Sequence, residues 1–163
     1  MRDYFWCAVA RACAKPILAN FIIRIAMRRP YLHIGDYMYR YWLIPFEWNL
    51  PFSVRVHHIR LPDADPYLHD HPWNWRTIIL RGWYIEEDVF GRKVWRDAGE
   101  TKGATAETFH RIDIVPPDGV WTLFIMGRRR NRWGFMHGDP ARKTYYRDYV
   151  SVNDCGELME PRP

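Results

Sequence analysis

From Tyr31 onward the chain is cut at short intervals by turn residues, and the runs between the cuts alternate in character. A period of two means an extended strand, because successive side chains point to opposite faces. Residues 36–44 set Tyr37, Tyr39 and Tyr41 against Met38, Arg40 and Trp42, and residues 53–60 put Val54, Val56 and His58 on one face. Residues 76–86 form the strongest strand, carrying Ile78, Ile79, Leu80, Trp83, Tyr84 and Ile85. Gly91 marks a hairpin turn before 93–96, and Pro116-Pro117-Asp118-Gly119 separates 107–115 from 120–126. In that turn proline presets φ and glycine accepts a positive φ. After a turn over 127–132, residues 133–136 and 143–150 add strands. Short strands with turns between them predict an all-β sandwich or barrel.

The first 30 residues break this pattern. Residues 1–29 read as helical with a break at Pro16, and Leu18, Phe21, Ile22 and Ile25 share one face at helical spacing. That face is expected to pack on the outside of the barrel, with a dimer contact or a membrane surface as alternatives. Pro30 ends the element. The expected organisation is a helix over 1–30, one barrel over 31–152 and a loose tail over 153–163. A length of 163 residues suits one domain with a real core. The longest apolar stretch, Pro16 to Met27, is short and contains Arg24, so no membrane span is expected. Asp3, Arg11 and Lys15 interrupt any signal-peptide pattern. Three cysteines, Cys7, Cys13 and Cys155, form no paired framework, which points to a reducing, cytoplasmic compartment.

Chemistry concentrates at His69-Asp70-His71. Two histidines two apart on a strand point the same way and can grip one ion from one side. The best third ligand is His110, which shares a face with Ile112 and Ile114. Three protein ligands leave positions open for water or substrate, as in catalytic sites. Glu86, Glu87 or Glu107 could add a carboxylate. His58, on the face of Val54 and Val56, is either a hydrogen-bonded core residue or a general base near the metal. His33 and His137 read as surface residues. Trp73 and Trp75 either line the pocket or pack the barrel end; nine Trp in so short a chain suit an aromatic-lined mouth. Arg81 is the first candidate for clamping a substrate anion, with Arg40 and Arg55 as alternatives. The formal charge of +5 and the cluster Arg128, Arg129, Arg130 and Arg132 allow an anionic ligand or a nucleic acid, although no nucleic-acid motif accompanies them.

The histidine pattern resembles the cupin superfamily. His69, His71 and Gly82 fall in register with its first motif, and Gly99 and His110 with its second. Trp75 stands at the first motif's glutamate and Asp63 at its leading glycine. In the second motif Thr105 replaces the proline, Glu107 the second glycine and Ile114 the asparagine. The runs 39–45, 69–73, 78–82, 108–111, 122–124 and 133–135 look like a family of small cupins common in bacteriophages and their hosts. The resemblance implies a double-stranded β-helix, the cupin or jelly-roll barrel, with one divalent metal on His69, His71 and His110. It implies a host cytoplasm if the source is a phage, and it carries no reaction with it. Cupins often pair through strand edges, so a homodimer is an open possibility.

Without the glutamate, three neutral imidazoles leave the metal's charge uncompensated, which favours an anionic co-ligand. Some thiol dioxygenases in the superfamily use three histidines, so Fe(II) and dioxygenase-like chemistry on a small anionic substrate is the first expectation. Its rivals are an isomerase or hydrolase using zinc, manganese or nickel as a Lewis acid, and a non-enzymatic ligand- or nucleotide-binding module. Metal should leave as the histidines protonate, roughly below pH 6.

Overall fold

The computed structural model describes residues 2–136, 143–145, 151–152 and 158–159. Two helices come first, α1 (Arg2–Cys13) and α2 (Pro16–Ala26), with Pro16 in the first turn of α2, where its missing N–H costs nothing. Strands β1 (Met38–Ile44), β2 (Ser53–Ile59), β3 (Trp73–Arg81), β4 (Trp83–Asp88), β5 (Lys93–Asp97), β6 (Thr101–Ala104), β7 (His110–Ile114), β8 (Val120–Arg129) and β9 (Gly134–Met136) follow. Three short pieces, β10 (Lys143–Tyr145), β11 (Ser151–Val152) and β12 (Leu158–Met159), complete the described chain. His137, Cys155 and most of the 153–163 tail lie outside the described residues.

The strands form two antiparallel layers. The first has the order β1-β2-β8-β3-β6 and the second β5-β4-β7. Residue 69 extends the second layer by bridging to His110 on one side and Phe135 on the other, which joins β9 and β10 to it. The inner faces meet where Ile59, Ile79 and Val120 of the first layer pack with Tyr84 and Ile112 of the second. A second inner cluster, Trp75, Phe124 and Met126, lies beside it.

The helices cover the outer face of the first layer. Ala10, Ala19, Ile23 and Ala26 pack on Tyr41, Val54, Val56, Ile78, Leu80, Trp121 and Leu123. The helix face used is only in part the expected one: Ile22 packs against this cluster, but Leu18, Phe21 and Ile25 stay exposed, while Ala19, Ile23 and Ala26 are buried. α2 is apolar nearly all round, so hydrophobicity could not choose its face. The stripe with two alanines wins because small side chains let the helix approach the sheet closely. Among the described residues no single helix is long and apolar enough to cross a membrane; α1 and α2 reach that length only together, across a 79° bend.

The expected single strand over 76–86 is two strands in two layers. The chain changes layer at Gly82, whose φ of +83° few other residues adopt; a Cβ there would stand 2.8 Å from the Gly119 carbonyl oxygen. β6 has no counterpart among the expected strands, because Thr-Lys-Gly-Ala carries no apolar alternation.

Candidate metal centre

Two of the three histidines are set by the backbone. His69 lies in no regular strand, yet its N–H donates to the His110 carbonyl and the His110 N–H donates back, both at 2.9 Å. An antiparallel pair that exchanges both bonds puts its side chains on the same face. The two rings lie 4.9 Å apart. His71 follows after Asp70, which is fully buried and accepts the Gly134 N–H at 3.0 Å. The Asp70 N–H in turn donates to the Gly134 carbonyl at 3.1 Å, so the chain entering His71 is held on both sides. The result brings His71 Nε2 to 2.9 Å from His110 Nε2. One ligand nitrogen from each of His69, His71 and His110 lies within 4.8 Å of the others, a group that could hold a metal ion.

Electrostatics keep this group ready for a cation. Burial, opposed by Asp63, lowers His69 to about 4. Burial, then the neighbouring His110, His69, His57 and Lys102, push His71 well below the ordinary histidine range. Both rings are therefore neutral at pH 7, the form that binds metal.

Carboxylates stand behind two of the rings. Glu86, 2% exposed, reaches His110 Nδ1 with its Oε1 at 2.8 Å. Lys102 also donates to that oxygen, and Arg96 Nε approaches Oε2 at 3.2 Å. Burial raises the Glu86 carboxyl, but the His110 bond, the His110 charge and Lys102 outweigh it and hold it at about 2. Asp63 Oδ2 lies 3.6 Å from His69 Nδ1, fixed by the Ile112 N–H at 2.7 Å and by the Tyr37 hydroxyl. A carboxylate within hydrogen-bond reach of Nδ1 favours Nε2 as the ligand, which is the position of Glu86 at His110, while Asp63 acts on His69 by charge alone. The donor set fits a divalent ion: three converging imidazoles, with a carboxylate standing behind two of the rings.

Of the three candidate carboxylates only Glu86 serves the site, and it does so through His110. Glu87 pairs with Arg111 at 2.7 Å, and Glu107 is exposed. Trp75 is 5% exposed and lies within ring contact of His71 and His110, at 5.2 and 5.1 Å. Trp73 shares the inner cluster with it. Exposed Arg128, Arg129, Arg130 and Arg132 sit near the rim, where the Arg130 and Asn131 N–H groups donate to the carbonyl of Pro72, next to His71.

Two expectations need correction. His58 does share a face with Val54 and Val56, but that face is covered by the helices and is not the barrel interior. Its ring stacks on Trp121 at 4.2 Å and its Nε2 meets the Asp118 carbonyl at 3.1 Å. Alternation sorts residues into two faces without saying which is inside. The inward histidine is His57, stacked on Phe124 at 5.0 Å, and Phe124 in turn lies 5.3 Å from His71. Arg81 likewise turns outward, to Asn20 of α2 at 3.3 Å and the Trp121 ring. The register of β3 shifts between Ile79 and Arg81, and that bulge re-aims the last side chain.

No protein-family model matches the chain, and no curated protein matches its sequence. Its fold is similar to solved structures. The polyketide cyclase RemF from Streptomyces resistomycificus matches with a TM-score of 0.53 at 18% identity, over 68% of this chain and 80% of that one. A cupin 2 conserved barrel domain protein from Rhodopseudomonas palustris matches with 0.53 at 18%, over 69% and 78%. Rru_A2000 from Rhodospirillum rubrum, a cupin-2 domain, matches with 0.52 at 13%, over 67% and 74%. The fold is a cupin barrel.

Proposed function

We propose that this cupin-fold chain holds one divalent metal ion on His69, His71 and His110, and that it acts as a dioxygenase-like enzyme on a small anionic substrate. The observation that carries the reading is the donor set: three imidazoles converge, and both nearby carboxylates act from behind the rings. An ion there supplies Lewis acidity and, if it is iron, electron transfer with O₂. The protein's own part is positioning and electrostatics. Glu86 holds the His110 ring so that Nε2 faces the site, and its charge is already opposed by Lys102 and Arg96. The metal's charge is therefore left for a substrate anion to balance. Trp75 and Phe124 wall the histidines with aromatic surface and exclude water, which strengthens every charge interaction inside.

His57 supports a second reading. Its Nε2 is buried without a hydrogen-bond partner, and burial followed by Arg55 and Arg40 keeps the ring neutral. A neutral imidazole beside the site can take and return a proton, as a non-redox isomerase or hydrolase requires. The test is metal content by mass spectrometry on untagged protein purified without oxygen, beside His69→Ala and His110→Ala. The first reading expects about one iron per chain, lost in both variants. Zinc or manganese at that stoichiometry favours the second. No metal in the wild type overturns both and leaves a cupin-shaped binding module.

A further inference from the structure

Arg55 is 7% exposed and lies on the inner face of the first layer, two residues before His57 on β2. Its guanidinium carbon stands 4.4 Å from the ring centroids of Tyr31 and Trp42 and 5.7 Å from that of Trp73. Among the described residues no carboxylate comes within ion-pair distance of it, and its Nε is buried with no hydrogen-bond partner. The Trp73 indole N–H and His57 Nε2 are also buried and unpaired. Burying a charge without a partner is costly, and contact with ring faces returns only part of that cost. Native interiors rarely tolerate one orphaned donor, and here four polar nitrogens, Trp75 Nε1 among them, are orphaned on one face.

These groups are continuous with the histidine cluster. Arg55 and His57 are neighbours on one face of β2, about 7 Å apart along the strand. His57 stacks on Phe124, and Phe124 touches His71. Ring faces offer no acceptor to the guanidinium's N–H edge, where Nε stays unpaired. A planar two-oxygen acceptor suits that edge best. We propose that Arg55 is the substrate clamp of this barrel and that it takes a carboxylate, so the substrate is an organic acid that reaches from Arg55 to the histidines. The metal end of that statement rests on the reading above; the Arg55 end does not. Burial, opposed by Tyr31 and reinforced by Arg40, lowers Arg55 only to about 10, so the clamp is cationic at neutral pH.

The test is calorimetric titration with two probe pairs. The pair 3-mercaptopropionate and 3-mercaptopropionamide carries a metal-binding thiol, and the pair propionate and propionamide does not. Wild type should bind each acid on the order of tenfold more tightly than its amide or better. Arg55→Met should abolish that preference, keep the wild-type metal content and melt no lower, since it removes an uncompensated charge; a purely structural arginine would lower the melting temperature. Arg55→Lys, which keeps the charge and loses the fork, should retain a reduced preference, and it decides the matter if Arg55→Met does not fold. No acid preference in wild type, no detectable binding of either acid, or a preference kept in Arg55→Met overturns the proposal. Metal content is read separately. A metal-free wild type that still prefers propionate would sink the metal reading and leave the clamp standing.

Discussion

Glu86→Gln separates what the buried carboxylate does for the metal from what it does for the fold. The side chain is 2% exposed and its two oxygens serve three groups: His110 Nδ1 at 2.8 Å, Lys102, and Arg96 Nε at 3.2 Å. Glutamine keeps the volume and one acceptor oxygen, but it turns two amide hydrogens toward cations and removes the negative charge. Two costs follow. Losing the carboxylate behind a ligating histidine typically weakens metal binding 10- to 100-fold, which is about 1.4–2.7 kcal/mol. Leaving Lys102 unpaired, with only 17% of its side chain exposed, destabilises the fold by about 3 kcal/mol, the low end for breaking a buried pair. Competition against a chelator reads the first cost and urea denaturation of the metal-free protein reads the second. Lys102→Met added to Glu86→Gln should restore most of the stability and little of the metal affinity. If Glu86→Gln lowers stability while metal affinity stays within a factor of two, Glu86 serves the fold alone and the orientation argument is refuted.

Gly82→Ala should destabilise the protein by about 3 kcal/mol or more, since the new Cβ adds a clash with the Gly119 carbonyl to a positive φ; a melting temperature within 2 °C or so of wild type would contradict that. The metal-free protein should lose stability in acid. Burial depresses folded His69 to about 4 while the unfolded chain titrates near 6.5, so between those values only the unfolded state gains the proton. The slope from His69 is about 1.4 kcal/mol per pH unit, roughly 3 kcal/mol in all. His57 and His71, both held low chiefly by burial, steepen it. Glu86, held at about 2, contributes stability present above pH 4.5 and lost as the pH falls toward 2. A urea midpoint unchanged from pH 7 to 4.5 in chelated protein would rule this out. The same depression of His69 moves metal release below the pH of about 6 that free imidazoles suggest.

Local pattern carried the strand content and the three histidines. Alternation over 36–44, 53–60 and 120–126 and the turn at 116–119 are consequences of side-chain period and φ preference, which neighbours in sequence decide. His69, His71 and His110 were nominated by spacing, residue type and the motif resemblance together, and the structure gathers them into one group. The second rank of the site was not legible in this way. Asp63 and Glu86 reach His69 and His110 from 6 and 24 residues away in sequence, and only the pairing of β4 with β7 and the bridge at His69 bring those positions together. Nor could period two tell inside from outside. His57 and His58 are adjacent, and so are the faces they serve; the choice fell to α1 and α2, which bury Val56 and Trp121 on one side of the sheet and leave Arg55, His57 and Phe124 on the other. Which stripe of α2 made that contact was a matter of close approach, which no hydrophobicity pattern records. Burial decided the inner residues' charge states as well: a histidine titrates near 6.5 in any sequence, and near 4 only where the fold has removed water around it.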